Sequence, residues 1–285
     1  MKNYIKRLLH TIAFVVHTLL GRRIMGRYPY KKRYSGKMMI LANGPSLKNV
    51  LFEIGLKKNS ENIDFTVMNF FAFDPSFLKI KPRFYCFADP IFVRKSHRNE
   101  EVKRLFCYLQ ENVDWEMNLY IPKWFGIKQF LCYSSLVNPH IHIVSINDTT
   151  YEGFECWRNW MYKKNLALPP ICTVAQLGLY MAINNGFDEI ELYGVEHNMI
   201  CSLFVNDKNQ LCNKEEHFYE QKAVLKPIMR NDNGRLFKIS DYLMGAGKLF
   251  HSHEQLAEYA KMLHVRIVNC TVDSMIDCYE RMTNE

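Results

Sequence analysis

The chain has 285 residues, of which 48% are hydrophobic and 14% aromatic, enough apolar side chain for a large core. That composition excludes an intrinsically disordered polyelectrolyte. The formal charge of +8 is uneven: residues 1–52 hold 11 Lys or Arg and no Asp or Glu, leaving the remainder slightly acidic. The basicity therefore belongs to an N-terminal arm, which argues against a nucleic-acid-binding domain.

Within that arm, Ile5, Leu8, Leu9, Ile12, Val15, Val16, Leu19 and Leu20 recur at helical spacing, flanked by Lys2, Lys6, Arg7, Arg22, Arg23 and Arg27. The uncharged run from Leu8 to Gly21 is shorter than the ~20 residues of a spanning helix. Residues 1–37 thus read as a basic amphipathic arm lying on the inner face of the cytoplasmic membrane. A helix packed on its own domain or on a second subunit is the alternative. A signal peptide fits less well, because Arg22-Arg23 stands where a small-x-small cleavage site belongs. The nine cysteines are scattered without a Cys-x-x-Cys pair, which reads as a protein of a reducing cytoplasm with no zinc site or disulfide framework.

The next stretch, Met38 to Leu47, is an apolar strand ending in the tight turn Asn43-Gly44-Pro45-Ser46, followed by Leu47, Val50, Leu51 and Ile54 at helical spacing. A strand-to-helix turn of this kind binds anions in parallel α/β sheets, since Gly lets backbone approach a phosphate and Ser caps the helix. Phe65–Asn69 and Pro82–Pro90 are further strands, ending at Asn69 and Asp89-Pro90. A helix is predicted over 100–112, strands over 119–122 and 142–146, and a helix over 173–185 stopped by Gly186. Residues 189–194 form a strand ending at Gly194, residues 253–263 a helix and 265–269 a last strand. Alternating strands and helices predict one doubly wound, mainly parallel α/β sheet over 38–285. The polar stretch 198–250 breaks the rhythm and is expected to be a lid.

Asn43, Asn69 and Asp89 each end a predicted strand, so all three face one crevice in such a sheet. Amide and carboxylate groups there suit a base and ribose, and the Gly44 turn suits phosphate. Glu196 and His197 follow the strand ending at Gly194 and suit acid–base work or sugar hydroxyls. His217, His251 and His253 add imidazoles, the last two sharing a face if they lie on a strand. No P-loop, Gly-x-Gly-x-x-Gly, Asp-x-Asp or Gly-x-Ser-x-Gly sequence occurs, and no histidine spacing indicates a metal site.

The Ala42–Leu47 turn resembles the opening motif of the bacterial sialyltransferases of glycosyltransferase family 42. Val67-Met68-Asn69, Asp89-Pro90, the Thr173-led helix, the Glu189–Val195 strand and the C-terminal helix and strand with Asp273-Ser274-Met275 resemble that family in order. A pterin-pyrophosphokinase-like group shares the opening motif. The resemblance implies a variant nucleotide-binding fold with a lid, a CMP-activated acidic sugar of sialic acid or Kdo type as donor, and no metal or other cofactor. It would assign CMP binding to Asn43, Gly44, Pro45, Ser46, Asn69, Asp89 and Thr173, with Gly194, Glu196 and His197 beside the substrate. Two lid tyrosines assist the departing phosphate in that family; here the first position falls near Asn198, and Tyr219 is the substitute. The general base would be His251 or His253. The expected activity is inverting glycosyl transfer to a glycan or lipid-linked glycan in surface polysaccharide or lipopolysaccharide assembly, with a homo-oligomer possible. The alternatives are a pterin-type pyrophosphokinase using ATP and magnesium, and a non-catalytic nucleotide- or glycan-binding protein.

Overall fold

The computed structural model describes residues 2–20, 28–57, 62–215, 224–230 and 234–282. Its centre is an eight-stranded sheet made of β1 (Lys37–Leu41), β2 (Ile63–Met68), β3 (Phe84–Cys86), β4 (Met117–Pro122), β5 (Ile141–Ile146), β6 (Glu189–Tyr193), β10 (Arg266–Asn269) and β11 (Glu280–Arg281). The spatial order is β11-β10-β6-β1-β2-β3-β4-β5, and every neighbouring pair is parallel. From β1 the chain proceeds through β2 to β5 on one side, then returns to place β6 on the other side of β1. The switch point therefore lies between β1 and β6, whose carboxyl ends open a crevice in sheets of this type.

β1 shows why the sheet is covered on both faces. Met38 and Ile40 pack into one layer and Met39 and Leu41 into the other, all four fully buried, as the two-residue period of a strand requires. One layer holds α2 (Leu47–Lys57), α3 (Ser76–Ile80), α4 (Asn99–Asn112) and α5 (Ile127–Ser134). The other holds α6 (Glu155–Lys163), α7 (Val174–Asn185) and α8 (Ile239–Met262). α7 is buried nearly all round. Its polar residues are satisfied internally: Asn185 Nδ2 donates to Tyr120 Oη at 2.8 Å, and Gln176 Nε2 to the Leu249 carbonyl at 2.9 Å.

α1 (Lys2–Leu20) lies against the second layer. Thr11 is buried and its hydroxyl is 2.9 Å from Tyr151 Oη, Phe14 packs on the Tyr151 ring, and Arg7 pairs with Glu155 at 2.9 Å. The following segment belongs to the domain rather than to a free arm. Tyr28 to Tyr34 runs along the ends of α6 and α7, with Tyr30 N donating to the Lys163 carbonyl, Arg33 N to that of Asn185, and Tyr34 stacked on Phe187. No helix among the described residues is long and apolar enough to cross a membrane.

Between β6 and α8 the chain inserts a small antiparallel sheet of β7 (Leu203–Val205), β8 (Leu211–Glu215) and β9 (Val224–Pro227). The expected lid range of 198–250 overshoots this insertion, because α8 starts at Ile239 and not at His253. Its first turns carry Gly245 and Gly247, each roughly 1 kcal/mol less favourable than Ala in a helix. They also bury no apolar stripe, leaving Leu243 and Met244 exposed, so the periodicity that marks a helix is absent there.

Candidate functional site

The site is built at the switch point, where the turn after β1 meets the turn after β6. Gly44 N donates to the Gly194 carbonyl at 2.9 Å, and Ala42 N to the Tyr193 carbonyl at 2.9 Å. The buried Glu196 carboxylate reaches across to the start of α2, where its Oε1 accepts from Ser46 N at 2.9 Å and from Ser46 Oγ at 2.5 Å. The helix dipole and unpaired N–H groups favour an anion at that place. Here the anion is the protein's own carboxylate, so the Ser46 groups expected to hold phosphate are already engaged. Gly44 is required by this contact: a Cβ there would lie 1.6 Å from Glu196 Oε2 and 2.4 Å from the Gly194 oxygen. Gly194 itself has a φ of +68°, and a Cβ there would crowd Leu47 Cβ at 3.0 Å and the Ala42 carbonyl at 3.1 Å.

Beside the turn, Asn43, Gly44, Asn69 and Asp89 line one cleft of about 430 Å³, together with Phe70, Asp74 and Arg98. Three strand ends thus converge as the sequence pattern indicates. Asn69 sits in the left-handed region at φ +52°, its carbonyl accepting from Tyr85 Oη at 2.6 Å. Its side-chain Oδ1 is buried with no hydrogen-bond partner among the described residues, a state that costs about 1–3 kcal/mol. Strained backbone and an unmet acceptor at one residue are typical of a ligand site. Asn43 Nδ2 reaches the Met68 carbonyl at 3.4 Å, and Asp89 caps the next turn by accepting from Ile91 N at 3.0 Å.

Arg98 and Phe70 were not signalled by the strand-end pattern. The Arg98 guanidinium lies 4.0 Å from the Phe70 ring centroid and pairs with Glu101 at 2.7 Å. A second hollow of about 480 Å³ shares Asp89, Ile91 and Arg98 with the cleft and adds Arg94, Lys95 and His97. The cluster of bases just after Asp89-Pro90 was the available sequence signal for this cationic wall. A third hollow of about 290 Å³, past the ends of β3, β4 and β5, includes Trp124, Asp148 and Lys248.

His197, one residue after Glu196, belongs to a chain of hydrogen bonds. Its Nε2 is 3.1 Å from His253 Nε2, His253 Nδ1 is 2.9 Å from Tyr279 Oη, and Tyr279 Oη donates to the His253 carbonyl at 3.1 Å. With the Tyr279 proton on that carbonyl, the assigned tautomers are His253 Nδ1–H donating to Tyr279 Oη and His197 Nε2–H donating to His253 Nε2. In these tautomers the remaining nitrogen, His197 Nδ1, carries a lone pair with no partner among the described residues. Burial lowers the pKa of His197 to about 4, opposed by the Glu196 carboxylate. Burial and the facing His197 ring lower that of His253 to about 3. Both imidazoles are therefore neutral at pH 7.

Free histidine titrates near 6.5, so between pH 6.5 and 4 the unfolded chain binds more protons than the folded one. Stability then rises with pH across that window and is lost on acidification. Urea unfolding at pH 4.5 is expected to show a loss of at least about 2 kcal/mol relative to pH 7. A smaller loss should remain when His197 and His253 are both replaced by Gln.

Other expected site residues lie elsewhere. His251 and His253 share a helix, not a strand, so they diverge: His253 is buried while His251 is exposed and bonded to Glu254 at 2.8 Å. Asn198 and Pro45 are exposed. Thr173 is the N-cap of α7, where Gln176 Oε1 accepts from its backbone N at 3.1 Å, and it does not line the cleft. Tyr219 and His217 lie outside the described residues. Among the described residues, no group of three or more His, Cys, Asp or Glu is placed to hold a metal ion.

No family model matches the chain, and no curated protein matches it. A solved structure, the MAf glycosyltransferase from Magnetospirillum magneticum AMB-1, is similar to it with 13% identity and a TM-score of 0.48. The match covers 91% of this chain and 36% of that one, so the chain spans about a third of that protein's length.

Proposed function

We propose that this chain is a glycosyltransferase moving an acidic sugar, of sialic acid or Kdo type, from a CMP-activated donor to a glycan acceptor of surface polysaccharide or lipopolysaccharide. The observation that carries this reading is the buried, unpartnered Asn69 Oδ1 in the cleft that Asn43, Asp89 and Arg98 also line. Outside that cleft, after the neighbouring strand β6, Glu196 is bonded to Ser46 and is followed by His197.

In this reading the Asn69 Oδ1 accepts from the exocyclic amine of cytosine, which meets its missing hydrogen bond. Arg98 and the bases beyond it face the donor phosphate and the carboxylate of the sugar. The acceptor takes the third hollow, against the Trp124 ring. His197 Nδ1 removes the proton from the acceptor hydroxyl as its oxygen bonds to the anomeric carbon. The bond from that carbon to the phosphate oxygen breaks on the opposite face, and CMP leaves with the electron pair. The configuration is inverted.

Asp74 and Asp89 line the same cleft, which favours a second reading, pyrophosphoryl transfer from magnesium-bound ATP. Calorimetric titration with CMP, CDP, UDP and ATP, with and without magnesium, separates the two. Magnesium-independent preference for CMP is expected, with Asn69→Ala and Arg98→Ala each weakening it about tenfold, or 1.4 kcal/mol. Preference for ATP with magnesium would replace the first reading by the second, and absence of any nucleotide binding would leave a glycan-binding protein.

A further inference from the structure

α1 presents two longitudinal strips. Thr11, Phe14 and Thr18, at three- and four-residue spacing, turn toward the domain. A second strip carries Ile5, Leu9, Ile12 and Val16 to solvent, with Leu9 61% and Ile12 51% exposed. At 100° per residue Lys6 borders that strip on the flank opposite Ile12, and it is exposed. Arg7 and Tyr4 dock this helix at the start of α6, on Glu155 and Phe154. α6 then displays two tryptophans one turn apart, Trp157 and Trp160, which are 49% and 54% exposed.

We infer that α1 and the exposed tryptophans of α6 form one surface that seats the protein on an anionic lipid bilayer. A strip of aliphatic side chains on a helix already held by its other side cannot be buried further within the described residues. It is of the type that lies in the headgroup region, and tryptophan is suited to the same depth because its ring is apolar and its N–H is polar. The charge identifies the partner. Lys6 beside the strip is exposed, and α6 ends in exposed Lys163 and Lys164. The nearby carboxylate of Glu155 is paired by Arg7, and Glu152 faces His10 at 4.0 Å. Exposed lysines beside an apolar strip attract an anionic surface, with each base contributing about fivefold to the partition coefficient at low salt. The inference is independent of which donor the cleft takes.

Sedimentation of the full chain with vesicles tests it, using phosphatidylcholine alone or mixed with phosphatidylglycerol. Binding to the mixed vesicles is expected, weakened by salt and reduced at least tenfold by Ile12→Glu and by Leu9→Glu. Trp157→Ala with Trp160→Ala should weaken it further and remove a blue shift in tryptophan emission. Both glutamate variants change exposed positions, and an unaltered circular dichroism melt establishes that each is folded. Failure of the wild-type chain to sediment with the mixed vesicles would overturn the inference, as would binding indifferent to Ile12→Glu. A concentration-dependent dimer dissolved by Ile12→Glu, without vesicle binding, would assign the surface to a second copy of the chain.

Discussion

Replacing His197 by Ala is expected to lower turnover in a CMP-sugar transfer assay by about 10²–10⁴-fold, the usual contribution of a positioned base. Nucleotide affinity should change less than twofold, because the cleft residues are untouched. The wild-type profile of kcat/KM against pH carries a second signature. A free imidazole would give an acid limb near 6.5, whereas the burial that lowers His197 to about 4 places the limb there. Activity should therefore be flat from about pH 5 upward, and a nuclear magnetic resonance titration of the imidazole should find the same midpoint. Tyr279→Phe leaves the base in place but deletes the hydroxyl that accepts from His253 Nδ1 and donates to the His253 carbonyl. Its expected effect is a loss of about tenfold in kcat with a displaced acid limb, of the size seen when an orienting partner is removed. A His197→Ala enzyme with wild-type turnover would remove His197 from the chemistry.

Gly44→Ala is expected to destabilise the fold by about 2–4 kcal/mol in urea unfolding, the range of severe overpacking. The added methyl would meet the Glu196 carboxylate at 1.6 Å and the rigid Gly194 carbonyl at 2.4 Å. The first obstacle disappears in Gly44→Ala with Glu196→Ala, and the second does not. The double variant should therefore be more stable than the sum of the two single losses, with coupling of about 1 kcal/mol or more. A Gly44→Ala protein within about 0.5 kcal/mol of wild type, the scatter of ordinary surface changes, would show that the turn can move away from Glu196.

The parallel sheet was legible because its central strands are apolar on both faces and each ends at a punctuating Asn, Asp or Gly. Met38–Leu41 before Asn43 is the clearest case, whereas Glu189–Tyr193 before Gly194 carries Glu189 and Glu191 on one face and reads from its alternation with Ile190 and Leu192. The convergence of Asn43, Asn69 and Asp89 followed from the same rule, since parallel strands put their carboxyl ends on one edge. What the turn itself does was not legible. Asn-Gly-Pro-Ser reads as a phosphate loop, and only the register of β1 with β6 reveals that Glu196 fills it. The partnership of His197 with His253 was equally hidden, because 56 residues separate them and no local spacing encodes the contact. Tyr279 carried no signal at all, being a single tyrosine near the C-terminus whose role depends on where β11 returns to the sheet. The first half of α8 was missed because a helix that buries nothing leaves no periodic trace.

That half-helix gives the molecule a mechanical asymmetry. α8 is one continuous rod of 24 residues, roughly 36 Å long at 1.5 Å per residue. Its C-terminal part is clamped through Leu249, Ser252, His253, Leu256, Tyr259 and Ala260, all buried, while its N-terminal part has no buried residue before Leu249. Amide hydrogens in the first two turns should exchange orders of magnitude faster than those around His253, so a single helix records both the loosest and the most rigid parts of this layer.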